Sequence, residues 1–299
     1  MPKNIRSIIN PTSIAVVGAT NRPESVGHAV FTNILNANFQ GVLYPINPKA
    51  RAVQSVKAYP SLLDVPDEID MAMIIVPAEK VLGVAEQAAQ KGVKGIVVIT
   101  AGFKEVGGHG VELENELKEL ALSSGLRLVG PNCLGIINTN DETSLNASFS
   151  TKMPKKGNIA FISQSGALCT AVLDFAEGRN NVILMYLEDI SDGRKFIEIA
   201  SEITWGANKP MLAIKSGQSP EGARAAASHT GSLAGSDAAY DAIFFQSGIQ
   251  RVVGVSELFN YAIAFANQPV PKENQIAIIT NAGGPGIMAT DAAIRNNLS

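Results

Sequence analysis

Residues 14–27 read Ile14-Ala-Val-Val-Gly18-Ala-Thr-Asn-Arg-Pro-Glu-Ser25-Val-Gly27, and their order decides the fold. A short apolar run stops at Gly18, a polar loop follows, and Gly27 stands at the opening of the apolar-periodic stretch Val26 to Leu35. That is the pattern of a buried strand, a turn and a helix. Working outward, Val42 to Ile46, Ala72 to Val76, Ile96 to Ile99 and Arg127 to Val129 read as further buried parallel strands, with helices at Glu79 to Ala89 and Val111 to Leu122 between them. Alternation of this kind predicts a doubly wound α/β sheet.

A polar stretch from Pro131 to Gly157, without a long periodic run, marks a domain junction, and a second strand–helix series follows it. Strands are expected at Asn158 to Ile162, Val182 to Leu187 and Met211 to Lys215, and helices at Gly166 to Phe175, Lys195 to Ile203, Ala238 to Phe245 and Ser256 to Ala266. After the linker Pro269-Val-Pro271, a strand at Gln275 to Thr280, a glycine loop at Asn281 to Gly286 and a helix at Ile287 to Arg295 open a third unit. The expected domains are therefore 1–131, 132–268 and 272–299. A lone βα unit cannot bury its own faces, so the protein is expected to continue past Ser299 or to pack this end on a partner.

With 46% hydrophobic residues over 299 positions the chain can bury a large core. A net charge of -3 without a Lys/Arg block argues against nucleic acid, and no apolar run is long enough to span a bilayer, so the expected location is cytoplasmic. Cys133 and Cys169 stand apart, with no Cys-x-x-Cys and no nearby histidine, which gives no metal site and reads as packing.

Backbone N–H groups and the helix dipole at the Gly27 turn favour an anion, and glycine lets a phosphate approach. A nicotinamide site would place an acid after the next strand to hold the ribose. Here that place reads Asn47-Pro48-Lys49, a cation suited to a phosphorylated ribose or another phosphate, although a solvated loop lysine would read the same. In the second series Glu188 ends the Val182 strand, where open α/β sheets hold ligand-contacting residues. His229 lies in Ala225-Ala-Ala-Ser-His-Thr-Gly-Ser-Leu-Ala-Gly235, a run of small residues with nothing bulky to pack on. A neutral imidazole is a competent nucleophile near neutral pH, and a carboxylate on its other nitrogen would fix the tautomer. Ser163-Gln-Ser165-Gly166 and Asn281-Ala-Gly283-Gly284 each place a helix start where N–H donors could hold a phosphoryl group.

Together these motifs resemble the ADP-forming (NDP-forming) acyl-CoA synthetases, relatives of succinyl-CoA synthetase. The resemblance rests on Val-Val-Gly-Ala-Thr (16–20), Ser-Val-Gly (25–27), Ile-Asn-Pro-Lys (46–49), Gly-Pro-Asn-Cys-Leu-Gly (130–135), Ile-Ser-Gln-Ser-Gly-Ala (162–167), Tyr-Leu-Glu (186–188), Ser-His-Thr-Gly-Ser-Leu-Ala-Gly (228–235) and Thr-Asn-Ala-Gly-Gly-Pro-Gly (280–286). It implies a Rossmann-like coenzyme A domain holding CoA through Gly18, Ala19, Thr20, Ser25, Gly27, Asn47, Lys49, Val76, Pro77 and Asn132, followed by a flavodoxin-like domain. It further implies a phosphohistidine at His229, oriented by Glu188, with Ser165, Gly166, Gly283 and Gly284 cradling the phosphate. The implied reaction interconverts acyl-CoA, ADP and phosphate with acid, ATP and CoA through an acyl phosphate, on a small carboxylic acid, in an oligomer. ATP/ADP and Mg would bind an ATP-grasp domain or β subunit that this chain does not contain. At Glu177-Gly-Arg-Asn-Asn181 relatives insert one more strand and helix.

Three rival readings are weighed against this one. Ser165, Glu188 and His229 follow the order of an α/β-hydrolase triad, but Ser163 and Ala167 stand where a nucleophile elbow has glycines. A nicotinamide oxidoreductase is disfavoured by Asn47. A CoA-binding regulatory module of a protein acyltransferase would need neither Glu188 nor His229.

Overall fold

Strand β1 (Ser13–Val17) is buried along its whole length, and it is central because both of its edges are paired in parallel. β2 (Val42–Ile46) lies on one side; β5 (Met71–Ile74), β6 (Gly95–Val98) and β7 (Arg127–Val129) follow on the other, giving the order β2-β1-β5-β6-β7. The computed structural model describes residues 5–150, 152–157, 159–166, 182–219, 221–224, 236–268 and 273–299.

Period-2 alternation sends successive side chains to opposite faces of this sheet. Ala15, Val17, Ile46, Ala72, Ile74, Ile96 and Val98 pack on one face with α3 (Ala78–Lys91) and α4 (His109–Ser124). Ile14, Val16, Met71, Met73 and Val97 pack on the other with Val30, Phe31 and Ile34 of α2 (Val26–Asn36) and Ile8 of α1 (Arg6–Ile9). Helices on both faces confirm the doubly wound fold. β7 departs from the expectation of a buried strand: as the edge of the sheet it is only half covered.

Two antiparallel hairpins are additions to the sequence reading. β3 (Ala52–Val53) and β4 (Val56–Lys57) form a small hairpin beside β2. β8 (Gly135–Asn138) and β9 (Leu145–Ser148) form another, whose Leu145 and Ala147 are fully buried with the α2 face of the first sheet. Asn33 on α2 donates to the carbonyls of Ser148 and Ser150. By packing, this hairpin belongs with the first unit, because it covers an α2 face that would otherwise meet water.

The second sheet is parallel in the order β10 (Ile159–Ser163), β11 (Val182–Leu187), β12 (Met211–Lys215), β13 (Gln250–Arg251). Its faces are covered by α7 (Val255–Asn267) on one side, and by α5 (Gly193–Ser201) and α6 (Asp237–Gln246) on the other. Only Gly166 of the expected Gly166–Phe175 helix lies within the described residues. Among the described residues of the C-terminal segment the expected strand at 275–280 does not form: no ladder runs through it, and Ile276 N donates to the carbonyl of Ser299. A strand needs a neighbour, and among the described residues none lies beside it. The last helix, α8 (Gly283–Arg295), starts earlier than expected and takes in part of the glycine loop.

Candidate active site

In the first sheet the chain leaves β1 for β2 on one side and for β5 on the other, so the crevice at the carboxyl ends of β1 and β5 is the topological switch point where such folds bind ligands. Gly18 sits there with φ +95°, and a Cβ on it would lie 2.0 Å from the Ile75 carbonyl oxygen. A Cβ on Gly27 would lie 2.1 Å from the Gly18 oxygen. Only glycine permits this contact, which seats the start of α2 directly on the turn after β1.

The rest of the predicted CoA set surrounds this contact. Ser25 caps α2, accepting from His28 N at 3.3 Å, and His28 Nδ1 in turn donates to the Thr20 carbonyl at 3.2 Å. Ala19 is buried, and its carbonyl accepts from the Asn47 amide at 2.8 Å. Asn47 also accepts from Lys49 N at 2.9 Å, so it holds the loop that carries the exposed Lys49. Val76 and the exposed Pro77 lead from β5 into α3, tied by Thr100 Oγ1 to the Val76 carbonyl at 2.8 Å. Asn132, exposed at φ +53°, closes the far side and donates from its N–H to the Thr100 carbonyl at 2.9 Å. All ten predicted residues thus meet at the carboxyl edge of one sheet.

The sequence reading missed Asn21. Its side chain donates to the Ala52 carbonyl and accepts from Gln54 N, both at 2.9 Å, latching the β3–β4 hairpin over the Gly18–Gly27 loop. Asn21 stands inside the quoted motif, but its partners lie about 30 positions on, beyond any local pattern.

In the second sheet β10 and β11 run in register with Ser163 opposite Tyr186, so the Ser163–Gly166 turn and Glu188 emerge side by side at the carboxyl edge. Ser163 Oγ accepts from Ser165 N at 3.0 Å and donates to the Ser165 carbonyl at 2.8 Å, which tightens the turn. Glu188 is 8% exposed. Next to it the Asp189 carboxylate accepts from Tyr240 OH at 2.9 Å, and the Tyr240 ring lies 4.4 Å beneath the Lys215 ammonium. Lys215, at the end of β12, is almost wholly buried; burial lowers its pKa from the ordinary lysine value against the opposing pull of Asp237, Asp189 and Glu188. A buried cation at this edge was not read from the sequence, where Lys215 passes for the end of an apolar strand.

His229 and its loop, 225–235, lie outside the described residues, as does Cys169. Cys133 packs in the first unit, its thiol donating to the Val98 carbonyl at 3.3 Å. Gly283 and Gly284 open α8, but among the described residues a Cβ on either would meet nothing within 4 Å, so this second turn stands clear of its surroundings. A Cβ on Gly166 would approach Leu134 at 3.9 Å, placing the first turn beside the loop that leaves β7. No group of three His, Cys, Asp or Glu among the described residues could hold a metal, and no described helix is long and apolar enough to cross a membrane.

Comparison with known proteins finds a family model for each of the two sheets. Residues 12–139 match a CoA binding domain, and residues 176–265 match a succinyl-CoA ligase like flavodoxin domain. The chain is 44% identical to the acetate–CoA ligase [ADP-forming] II subunit alpha of Pyrococcus furiosus, over 97% of this chain and 68% of that protein. It is 43% identical to the 4-hydroxybutyrate–CoA ligase [ADP-forming] of Nitrosopumilus maritimus over 95% of this chain, but spans only 45% of that longer protein. The structure of a Ca. Korarchaeum cryptofilum dinucleotide forming acetyl-coenzyme A synthetase 1, in complex with phosphate and ADP, superposes with a TM-score of 0.88 at 40% identity, covering 100% of this chain and 70% of that one. The alignment to the Pyrococcus subunit runs over 320 positions, yet 97% of a 299-residue chain fills about 290 of them. The relative therefore has about 30 residues more, roughly one strand–helix unit. With its CoA-binding sheet, its succinyl-CoA-ligase-like sheet and these relatives, the chain belongs to the family of ADP-forming acyl-CoA ligases, in the portion corresponding to subunit alpha.

Proposed function

We propose that this chain is the CoA-binding and phosphoryl-carrying part of an acyl-CoA synthetase acting on a small carboxylic acid. The observation that carries the reading is the adjacency, at the carboxyl edge of the second sheet, of the Ser163–Gly166 turn and the buried Glu188. CoA fits the first unit: the Gly18–Gly27 contact opens the start of α2 to a pyrophosphate, and Arg22 and Lys49 stand exposed to meet its phosphates. Bound there, CoA supplies the thiol that carries the acyl group.

In the direction of acid release, phosphate attacks the thioester carbonyl; the C–S bond breaks, a C–O bond forms, and acyl phosphate and the CoA thiol result. A His229 ring nitrogen then attacks phosphorus and the acid leaves as carboxylate. Glu188 accepts the proton on the other ring nitrogen as a hydrogen bond and stabilises the cation formed. The Ser165–Gly166 turn at one helix start, and Gly283 and Gly284 at the other, cradle the phosphoryl oxygens, so no metal is needed at this step. The phosphoryl group passes to ADP, with Mg, on an ATP-grasp domain or β subunit, and the working enzyme is an oligomer.

The test is labelling with radioactive acetyl phosphate. The chain is expected to take up an acid-labile, base-stable phosphate that His229→Asn abolishes and Glu188→Gln slows about 100-fold, since a misaligned nucleophile loses this much. Equal labelling of the His229→Asn protein would overturn the assignment.

A further inference from the structure

Gln164 stands between the two halves of the proposed phosphoryl site, and its amide uses both of its functions on one partner segment. Its backbone N–H donates to the Tyr186 carbonyl at 3.1 Å, continuing the β10–β11 ladder one step past Ser163. Its side-chain oxygen accepts from the N–H groups of Glu188 and of Asp189, the latter at 3.0 Å, and its Nε2 donates to the Asp189 carbonyl at 3.1 Å. β11 has ended at that point, and the Leu187 carbonyl is taken by Ser216 N, just past the end of β12. The side chain thus replaces the missing rung of the ladder.

Few side chains can do this. An acceptor for two N–H groups and a donor for one carbonyl must share one planar group at the reach of two methylenes. Glutamate keeps the acceptor and puts a repulsive oxygen against the Asp189 carbonyl; methionine keeps the length and has neither function.

We propose that Gln164 is a positioning residue for phosphoryl transfer: it locks the main chain at Glu188 to the Ser163–Gly166 turn, so that the orienting carboxylate and the phosphate-holding N–H groups keep one fixed separation. This role rests on the reading of the site given above.

The experiment compares wild type, Gln164→Met and Gln164→Glu in labelling by radioactive acetyl phosphate, alongside CoA affinity and amide hydrogen exchange at positions 188 and 189. Gln164→Met is expected to label about 10- to 100-fold more slowly at saturating acetyl phosphate, with faster exchange at both amides and unchanged CoA affinity. For Gln164→Glu, the rate relative to wild type is expected to recover as pH falls towards about 4.5, where a protonated Glu regains the donor. A merely structural role would produce no such pH dependence, and this variant, which keeps both N–H contacts, serves if methionine costs the fold. Wild-type labelling with an undiminished Gln164→Met rate overturns the role of Gln164 alone. Absence of any label on the wild-type chain overturns the reading of the site, and this role falls with it.

Discussion

Asp70 and Lys49 show how differently two charged residues can act in one sheet. Asp70 lies at the amino end, opposite the CoA crevice, where its carboxylate accepts from Thr12 N at 2.8 Å, from Thr12 Oγ1 at 2.6 Å and from Lys94 at 2.6 Å. Burial pushes its pKa up, but the hydrogen bonds from Lys94 and Thr12 and the Lys94 charge outweigh it and hold the carboxyl below the usual aspartate value. An acid with a depressed folded pKa stabilises the fold above the unfolded value near 3.9, and the contribution is lost as pH falls through the lower, folded value. Asp70→Ala, which leaves three donors without their acceptor, should cost about 2–3 kcal/mol in urea unfolding at neutral pH. The difference from wild type should shrink in acid, with CoA affinity unchanged. Lys49 is exposed at the carboxyl end and should do the reverse. Lys49→Ala is expected to weaken CoA about tenfold by calorimetry, as loss of one phosphate contact would, and to leave stability within about 0.5 kcal/mol. Lys49 could be singled out from the sequence because it closely follows a strand; Asp70, Lys215 and Gln164 could not, since their partners are distant in the chain.

Among the elements, α2 is the one whose placement makes the proposed CoA site. Its first turn reaches the β1 loop only because Gly27 and Gly18 touch. Gly27→Ala must force the two apart, so a loss of about 1–3 kcal/mol in unfolding free energy is expected, together with at least tenfold weaker CoA binding by calorimetry. Unchanged affinity would show that CoA does not use this helix start. The central strands and the long helices were legible, since strands covered on both faces write continuous apolar runs. The β3–β4 hairpin was not: its turn residues Gln54 and Ser55 both adopt positive φ, 48° and 65°, without the glycine or asparagine that would announce such a turn. The β8–β9 hairpin was hidden for a related reason, its four-residue strands sitting in a polar stretch and owing their burial to α2. The expected strand at 275–280 failed in the opposite sense, because an apolar run became no strand without a neighbour to pair with.

At the scale of the whole molecule, the proposed reading gives CoA one sheet and the phosphoryl group the other, and the Gly166 turn lies beside Leu134, which brings the two sets of strand ends near each other. Acyl phosphate is the species that would pass between them, which makes the order of events measurable. The most direct measurement is incorporation of radioactive inorganic phosphate with and without acetyl-CoA. The account predicts an acid-labile label on His229 that appears only when acetyl-CoA is present and that needs more acetyl-CoA in the Lys49→Ala protein. Labelling by phosphate alone, or no labelling with acetyl-CoA in a chain that acetyl phosphate does label, would contradict it.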